Sequence, residues 1–353
     1  MTQAPPDAEA QLRFLRQLQR LLDEGSFVAT YKFALLHSIA DLCVMNGDES
    51  GGPLELSTSD IAERFIHLYW RQAVPFLSGR EAAVLMQNTG RQAAVVREVQ
   101  ERHETYQGSL TRLQRDDADW RRVRTAVKQV VERMPLWKLQ TVGSERAEFL
   151  YQNLDRGDSI TLEPGVAYCF RTFYPMITEM VEGAWSRHIR RHNAKILGTS
   201  TDLRAFLFGK ERVPLGRFRP LLQDLQNGRC FYCERGLGKE PQVDHFIPWR
   251  RYPLDLGHNF VLTHASCNSQ KSDLLAAEEH LERWAGRNQA HGQALAQFFD
   301  AESIEHDLVT TVKVACWAYG QVQRAGGQVW VRGKEMRLVT RRWAELLPKV
   351  GTW

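Results

Sequence analysis

The chain has 353 residues, 43% apolar and 25% charged, which excludes a long disordered protein and suits two or three domains better than one small core. Its net charge of +4 admits a nucleic-acid partner without arguing for one. No apolar run approaches the ~18 residues of a spanning helix. The polar stretch Met1 to Glu9 leads into no signal core, so a cytoplasmic protein without membrane contact is expected.

The first half reads as helical. Leu12, Leu15, Leu18 and Leu22 recur at helical spacing between Glu9 and Glu24, and Gly25 follows as a stop. Tyr31 to Val44 predicts a second helix with Leu35, Ile39 and Leu42 on one face. A loop rich in Gly and Asp, Asn46 to Pro53, comes next. Ser57 to Asp60 supplies capping chemistry for a helix to about Trp70. Weaker helical patterns cover Arg80 to Tyr106 and Asp116 to Arg133, the latter ended by Pro135. Glu163 to Asn193 predicts a long helix with Val166, Phe170, Phe173, Ile177 and Val181 along one side. Pro175 predicts a kink or break inside it. Cys43, Cys169 and Cys316 stand among apolar neighbours and read as small buried hydrophobes. Residues 1 to 186 carry no recognisable chemistry.

Arg187 to Arg219 is strongly basic. Nine Lys/Arg (187, 190, 191, 195, 204, 210, 212, 217, 219) face two acids, Asp202 and Glu211, for a local charge of +7. The stretch suits a phosphate backbone as well as it suits a solvated helix face. Near the C-terminus, a helix is predicted from about Ile304 to Gln323. A turn at Gly326 and Gly327 follows, then two short runs, Gln328 to Val331 and Met336 to Thr340, able to pair as strands.

The segment Cys230 to Leu275 holds two superimposed patterns. Cys230-x-x-Cys233 and His264-x-x-Cys267 are separated by 30 residues, and two such knuckles can close a tetrahedral zinc site. His258 is a competing histidine but lacks the x-x-Cys spacing. Four protein ligands would leave no open position, so such a zinc supports the fold. Between the knuckles, Gln242 to Trp249 reads as a strand ending near Asp244-His245, Phe260 to Thr263 as a second strand, and Cys267-Asn268 as the opening of a helix.

Asp244, His245, Asn259, Cys267, Asn268 and Lys271, with Cys230 and Cys233 upstream, resemble the HNH endonucleases over residues 227 to 276. The resemblance implies a ββα unit gripping a divalent metal and cutting phosphodiester bonds. It implies Asp244 and Asn268 as ligands of a catalytic Mg²⁺ or Mn²⁺, His245 as general base, and Asn259 as the residue fixing the His245 ring or its loop. Lys271 is expected to contact a phosphate, and Arg250 and Arg251 are further substrate-binding candidates. This sequence departs from the family at Asn268, where the name reflects a histidine, and at His264, where cysteine is commoner.

The expected fold is mainly α with a small α+β module. A helical domain at 1–195 would recognise the target or a protein partner. The zinc-stabilised nuclease module would occupy 196–290, and a C-terminal helix with short β elements 291–353. The expected activity is hydrolysis of DNA, in a setting such as restriction or anti-phage defence. The alternatives are a zinc-stabilised module that binds nucleic acid or protein without catalysis, and a nuclease preferring RNA or single strands.

Overall fold

The computed structural model describes residues 3–25, 27–78, 81–90, 92–152, 157–198, 203–209, 215–253 and 255–347. The chain divides into two compact units, Met1–Gly209 and Lys210–Trp353. The division falls later than the expected 195, and the segment 291–353, set apart in the sequence, lies within the second unit. Secondary structure is mostly helical, with separate antiparallel strand pairs. Among the described residues no helix is long and apolar enough to cross a membrane.

The first unit is organised around the helix Tyr31–Asn46. Every residue from Lys32 to Val44 is buried, not one face only. The helices Thr58–Trp70, Pro135–Lys138, Val166–Thr172 and Tyr174–His192 all pack against it. A helix enclosed in this way must bury polar residues too, and Asp41 shows how such a group is satisfied. Asp41 takes an ion pair from Arg64 at 2.7 Å and a hydrogen bond from the Tyr174 hydroxyl at 2.7 Å.

Local chemistry explains several boundaries. The Ser57 hydroxyl accepts from the Asp60 amide and starts the helix Thr58–Trp70 as expected. Asp116 does the same for Asp117–Arg133, whose Val123, Val127 and Val131 form one buried stripe. The long helix expected around Pro175 is two helices, Val166–Thr172 and Tyr174–His192. The proline sits in the first turn of the second, where its missing N–H costs nothing.

Two expectations are corrected. Ala8–Glu24 buries Phe14, Leu18 and Leu21 while Leu12 is exposed, so its apolar stripe is centred on Phe14 and not on the leucines alone. Helix does not run from Arg80 to Tyr106. The strands Phe76–Ser78 and Glu81–Ala83 pair there and the helix is Ala94–Thr105; Arg80 itself lies outside the described residues.

In the second unit, strands Gln242–His245 and Phe260–Thr263 pair antiparallel, with Val243 opposite Leu262 and His245 opposite Phe260. The helix Ala265–Lys271 follows directly. Period-two alternation puts Val243, Phe260 and Leu262 on one face. They build a core there with Phe218, Leu222, Leu295, Phe299 and Ile304. The last three come from the helix Glu278–Ala301 and the turn after it, which is why the C-terminal segment belongs to this unit. Leu308–Arg324 and the hairpin Gln328–Arg332/Glu335–Leu338 complete it, close to expectation. The Trp330 amide donates to the Leu275 carbonyl and the Ala277 amide to the Trp330 carbonyl, stitching the hairpin beside the two-stranded module.

Candidate functional site

The two knuckles converge. One ligand atom each from Cys230, Cys233, His264 and Cys267 lies within 4.8 Å of the others, a cluster able to hold a metal ion such as zinc. The first knuckle is a tight turn closed by the Glu234 amide on the Cys230 carbonyl. The second is carried into place because His264 ends the strand Phe260–Thr263 and caps the helix bearing Cys267. His264 Nδ1 faces the Cys233 sulfur at 3.3 Å, while its Nε2 lies 2.9 Å from the Gly236 carbonyl. A backbone acceptor on the far nitrogen is the usual support of a metal-binding histidine. Burial and the nearby Cys230 and Cys233 sulfurs push the Cys267 thiol up to about 12. A bound cation relieves that crowding, because it draws the thiols to thiolates. His258 is not part of the cluster. It is fully buried with Nε2 on the Gly292 carbonyl, and burial pulls it down to about 4.

Tyr232 links this cluster to the strand pair. It sits between the knuckle cysteines, buried against Trp330 and His280, and its hydroxyl donates to Asp244 Oδ2 at 2.6 Å. Lys271 Nζ reaches the same oxygen at 3.0 Å and the His245 carbonyl at 3.0 Å. Lys271 has no exposed surface, and burial holds its ammonium below the ordinary lysine range against the pull of Asp244. The expectation that Lys271 contacts a phosphate is therefore corrected: its helix turns inward, and the ammonium serves Asp244 instead. Nothing in the sequence pointed to Tyr232, whose role depends on a contact across the module.

Asn259 clamps the loop after His245. Its side-chain oxygen accepts from the Ile247 amide at 2.8 Å, and its side-chain nitrogen donates to the Ile247 carbonyl at 2.9 Å. His245 is held differently: Nε2 lies 2.6 Å from Asp255 Oδ1, a partner the sequence reading did not single out. Asn268 is half-buried and donates to Gln242 Oε1 at 3.0 Å. Asp244, His245 and Asn268 are thus each engaged by a separate protein partner.

Neighbouring strand residues leave the backbone on opposite sides. A site using both Asp244 and His245 must therefore lie at the strand's end, and His245 is the last residue of its strand. Among the described residues, no protein partner meets Asp244 Oδ1, His245 Nδ1 or Asn268 Oδ1. None of these is among the sealed, unpartnered polar atoms of the described residues.

Arg250 is exposed and pairs with Asp273 at 3.3 Å. Arg251 is half-buried, and burial lowers its guanidinium. The basic stretch Arg187 to Arg219 spans both units. Arg204 is consumed by Glu179 and Glu182, Arg217 donates to the Glu302 carbonyl, and Lys210 and Arg212 lie outside the described residues.

The comparison with known families matches residues 11–205 to a domain of unknown function, DUF8808, a span covering more than half of the chain. No curated protein and no solved structure matches.

Proposed function

The chain belongs to the DUF8808 family, whose matched span ends before the Cys/His cluster, and from that premise we propose that the second unit is a metal-dependent nuclease of the HNH type acting on DNA. One observation carries the reading: among the described residues Asp244 Oδ1, Asn268 Oδ1 and His245 Nδ1 meet no protein partner and are not sealed from solvent, while Oδ2 of Asp244, Nε2 of His245 and Nδ2 of Asn268 are each held. A scaffold serving only to hold zinc requires none of the three.

Zinc in Cys230, Cys233, His264 and Cys267 is structural, because four protein ligands leave no position for water or substrate. Asp244 and Asn268 offer hard oxygen donors suited to Mg²⁺ or Mn²⁺. Bound there, such an ion supplies charge stabilisation at the phosphate and at the departing 3′ oxygen. His245 is the general base. Tyr232 and Lys271 occupy Oδ2 of Asp244, so the carboxylate presents Oδ1 alone. Through the His245 carbonyl, Lys271 also ties the two residues together. Asn259 keeps the loop behind His245 in place. Arg250 and Arg251 remain candidates for phosphate contact beside the site. The first unit would select the target or a protein partner, in a setting such as restriction or anti-phage defence, though homing fits the resemblance equally well.

The Asp244–Lys271 ion pair is the feature a binding module without catalysis would use, since it accounts for a buried carboxylate with no ion. That reading leaves the open nitrogen of His245 unexplained. The test incubates wild type and His245→Ala with supercoiled plasmid, single-stranded DNA and RNA, with Mg²⁺ or Mn²⁺ and without either. Metal-dependent nicking or linearisation of plasmid is expected, reduced about 10²- to 10⁴-fold in the variant. Cleavage confined to RNA or single strands would change the substrate. No cleavage of any of the three would leave the binding module standing, and equal cutting by His245→Ala would remove that residue from the mechanism.

A further inference from the structure

The two ring nitrogens of His245 have opposite surroundings. Nε2 meets Asp255 Oδ1 at 2.6 Å, with both side chains about nine-tenths buried. Nδ1 meets no partner among the described residues and is not sealed from solvent. Phe260 packs edge-on to the ring at 5.0 Å, filling space without offering a hydrogen bond. A carboxylate that accepts from one nitrogen fixes the neutral ring with its proton there and its lone pair on the other.

Asp255 is itself firmly placed. The residues that follow it are held: the Asn259 amide donates to the Leu256 carbonyl at 2.9 Å. The Gly257 amide donates to the Glu305 carbonyl at 3.0 Å. Gly257 also lies so close to Phe299 that a Cβ would sit 2.6 Å from the ring, so the backbone there has no room for another residue. A carboxylate whose following residues are so held can set the direction of an imidazole.

We infer that Asp255 is the positioning residue of the site, selecting the Nε2–H tautomer of His245 and aiming Nδ1 at the attacking water. The inference deepens the nuclease reading and rests on it. In the step it serves, a water proton passes to Nδ1 while the proton on Nε2 stays, and the imidazolium so formed faces an ionised Asp255. The water oxygen bonds to phosphorus. The bond from phosphorus to the 3′ oxygen breaks, its electron pair leaving on that oxygen, which is then protonated from solvent. Asp255 touches neither water nor phosphate.

The test labels the full-length protein with ¹⁵N-imidazole histidine and reads the tautomer from two-bond ¹⁵N–¹H correlations. The His245 signals are assigned by their loss in His245→Ala. Wild type is expected to show Nε2–H. In Asp255→Asn the amide can donate to Nε2, so the ring is expected to move toward Nδ1–H, with kcat on plasmid falling on the order of 10²-fold and KM little changed. Asp255→Glu should recover part of both. Zinc content and melting temperature establish that each variant is folded, and Asp255→Ala, expected to give an averaged ring, replaces Asp255→Asn if that variant fails to fold. A folded Asp255→Asn that keeps the Nε2–H tautomer, or keeps its kcat, overturns the assignment of Asp255 while leaving the nuclease reading intact. A wild type that cleaves no substrate overturns both, whatever the spectrum shows.

Discussion

His37 shows how a single residue ties the first unit to pH. Burial alone would depress its pKa, but Asp41 at 3.6 Å and Glu182 at 3.5 Å overcome this and hold the imidazolium up to about 9. Asp41 in turn is kept well below the usual carboxylate range, with Arg64 and His37 outweighing its burial. Because the folded pKa of His37 lies above its unfolded value of about 6.5, its contribution is fully present below about pH 6.5 and is lost as pH rises through about 9. The unfolding free energy of the full chain in urea should therefore separate wild type from His37→Gln most at pH 6, by on the order of 2 kcal/mol, and hardly at all at pH 10. A gap that is constant across that range would mean His37 acts by packing and not by charge. Residues of this kind were invisible in the sequence. His37 and Glu182 are brought together by two helices far apart in the chain, and nothing local marks either. Asp255 and Tyr232 escaped notice for the same reason. The Cys/His ligands were legible because each knuckle is a local turn whose geometry follows from the x-x spacing.

At the scale of elements, the knuckles and the strand pair act as one device. Tyr232 stands between two candidate zinc ligands and bonds Asp244, while Arg283 reaches the Phe231 carbonyl and Glu234 from the neighbouring helix. Loss of metal would free this turn and with it one of the two groups holding Asp244 Oδ2. Elemental analysis should find about one zinc per chain. Cys230→Ser should lower the melting temperature of the second unit and its zinc content together, because binding and folding are coupled in such sites. A variant that kept both would show that these four residues are not the ligands. The order strand, strand, helix was legible from two short runs, Gln242 to Trp249 and Phe260 to Thr263, followed by Asn268 and Lys271 at helical spacing. The inward turn of Lys271 was not, since a lysine on a short helix reads the same whether it faces solvent or a buried carboxylate. The first helix was legible from its leucines, of which Leu18 is buried; Phe14, which shares its stripe, does not stand out in the sequence. The residues before Ala94 were read as helix because their polar and apolar residues fit either period.

At the scale of the whole molecule, the DUF8808 match and the candidate site fall in different units. The sequence set residues 291–353 apart because the metal pattern ends well before them. A strand pair and one short helix, however, bury too little to stand alone. The core that completes them draws Leu295, Phe299 and Ile304 from beyond residue 290. Arg287 from the same helix donates to the His258 and Phe260 carbonyls, and Trp284 donates its indole N–H to the His258 carbonyl. A fragment of residues 210–353 should accordingly fold, take up one zinc and show a cooperative thermal transition that a chelator lowers. A fragment ending at residue 290 should not, for it loses one wall of the core and the Trp330 indole packed on Tyr232. Circular dichroism melts of both fragments with and without chelator decide the matter. If the shorter fragment melted cooperatively with zinc, the C-terminal helices would be an addition to the module and not part of its core.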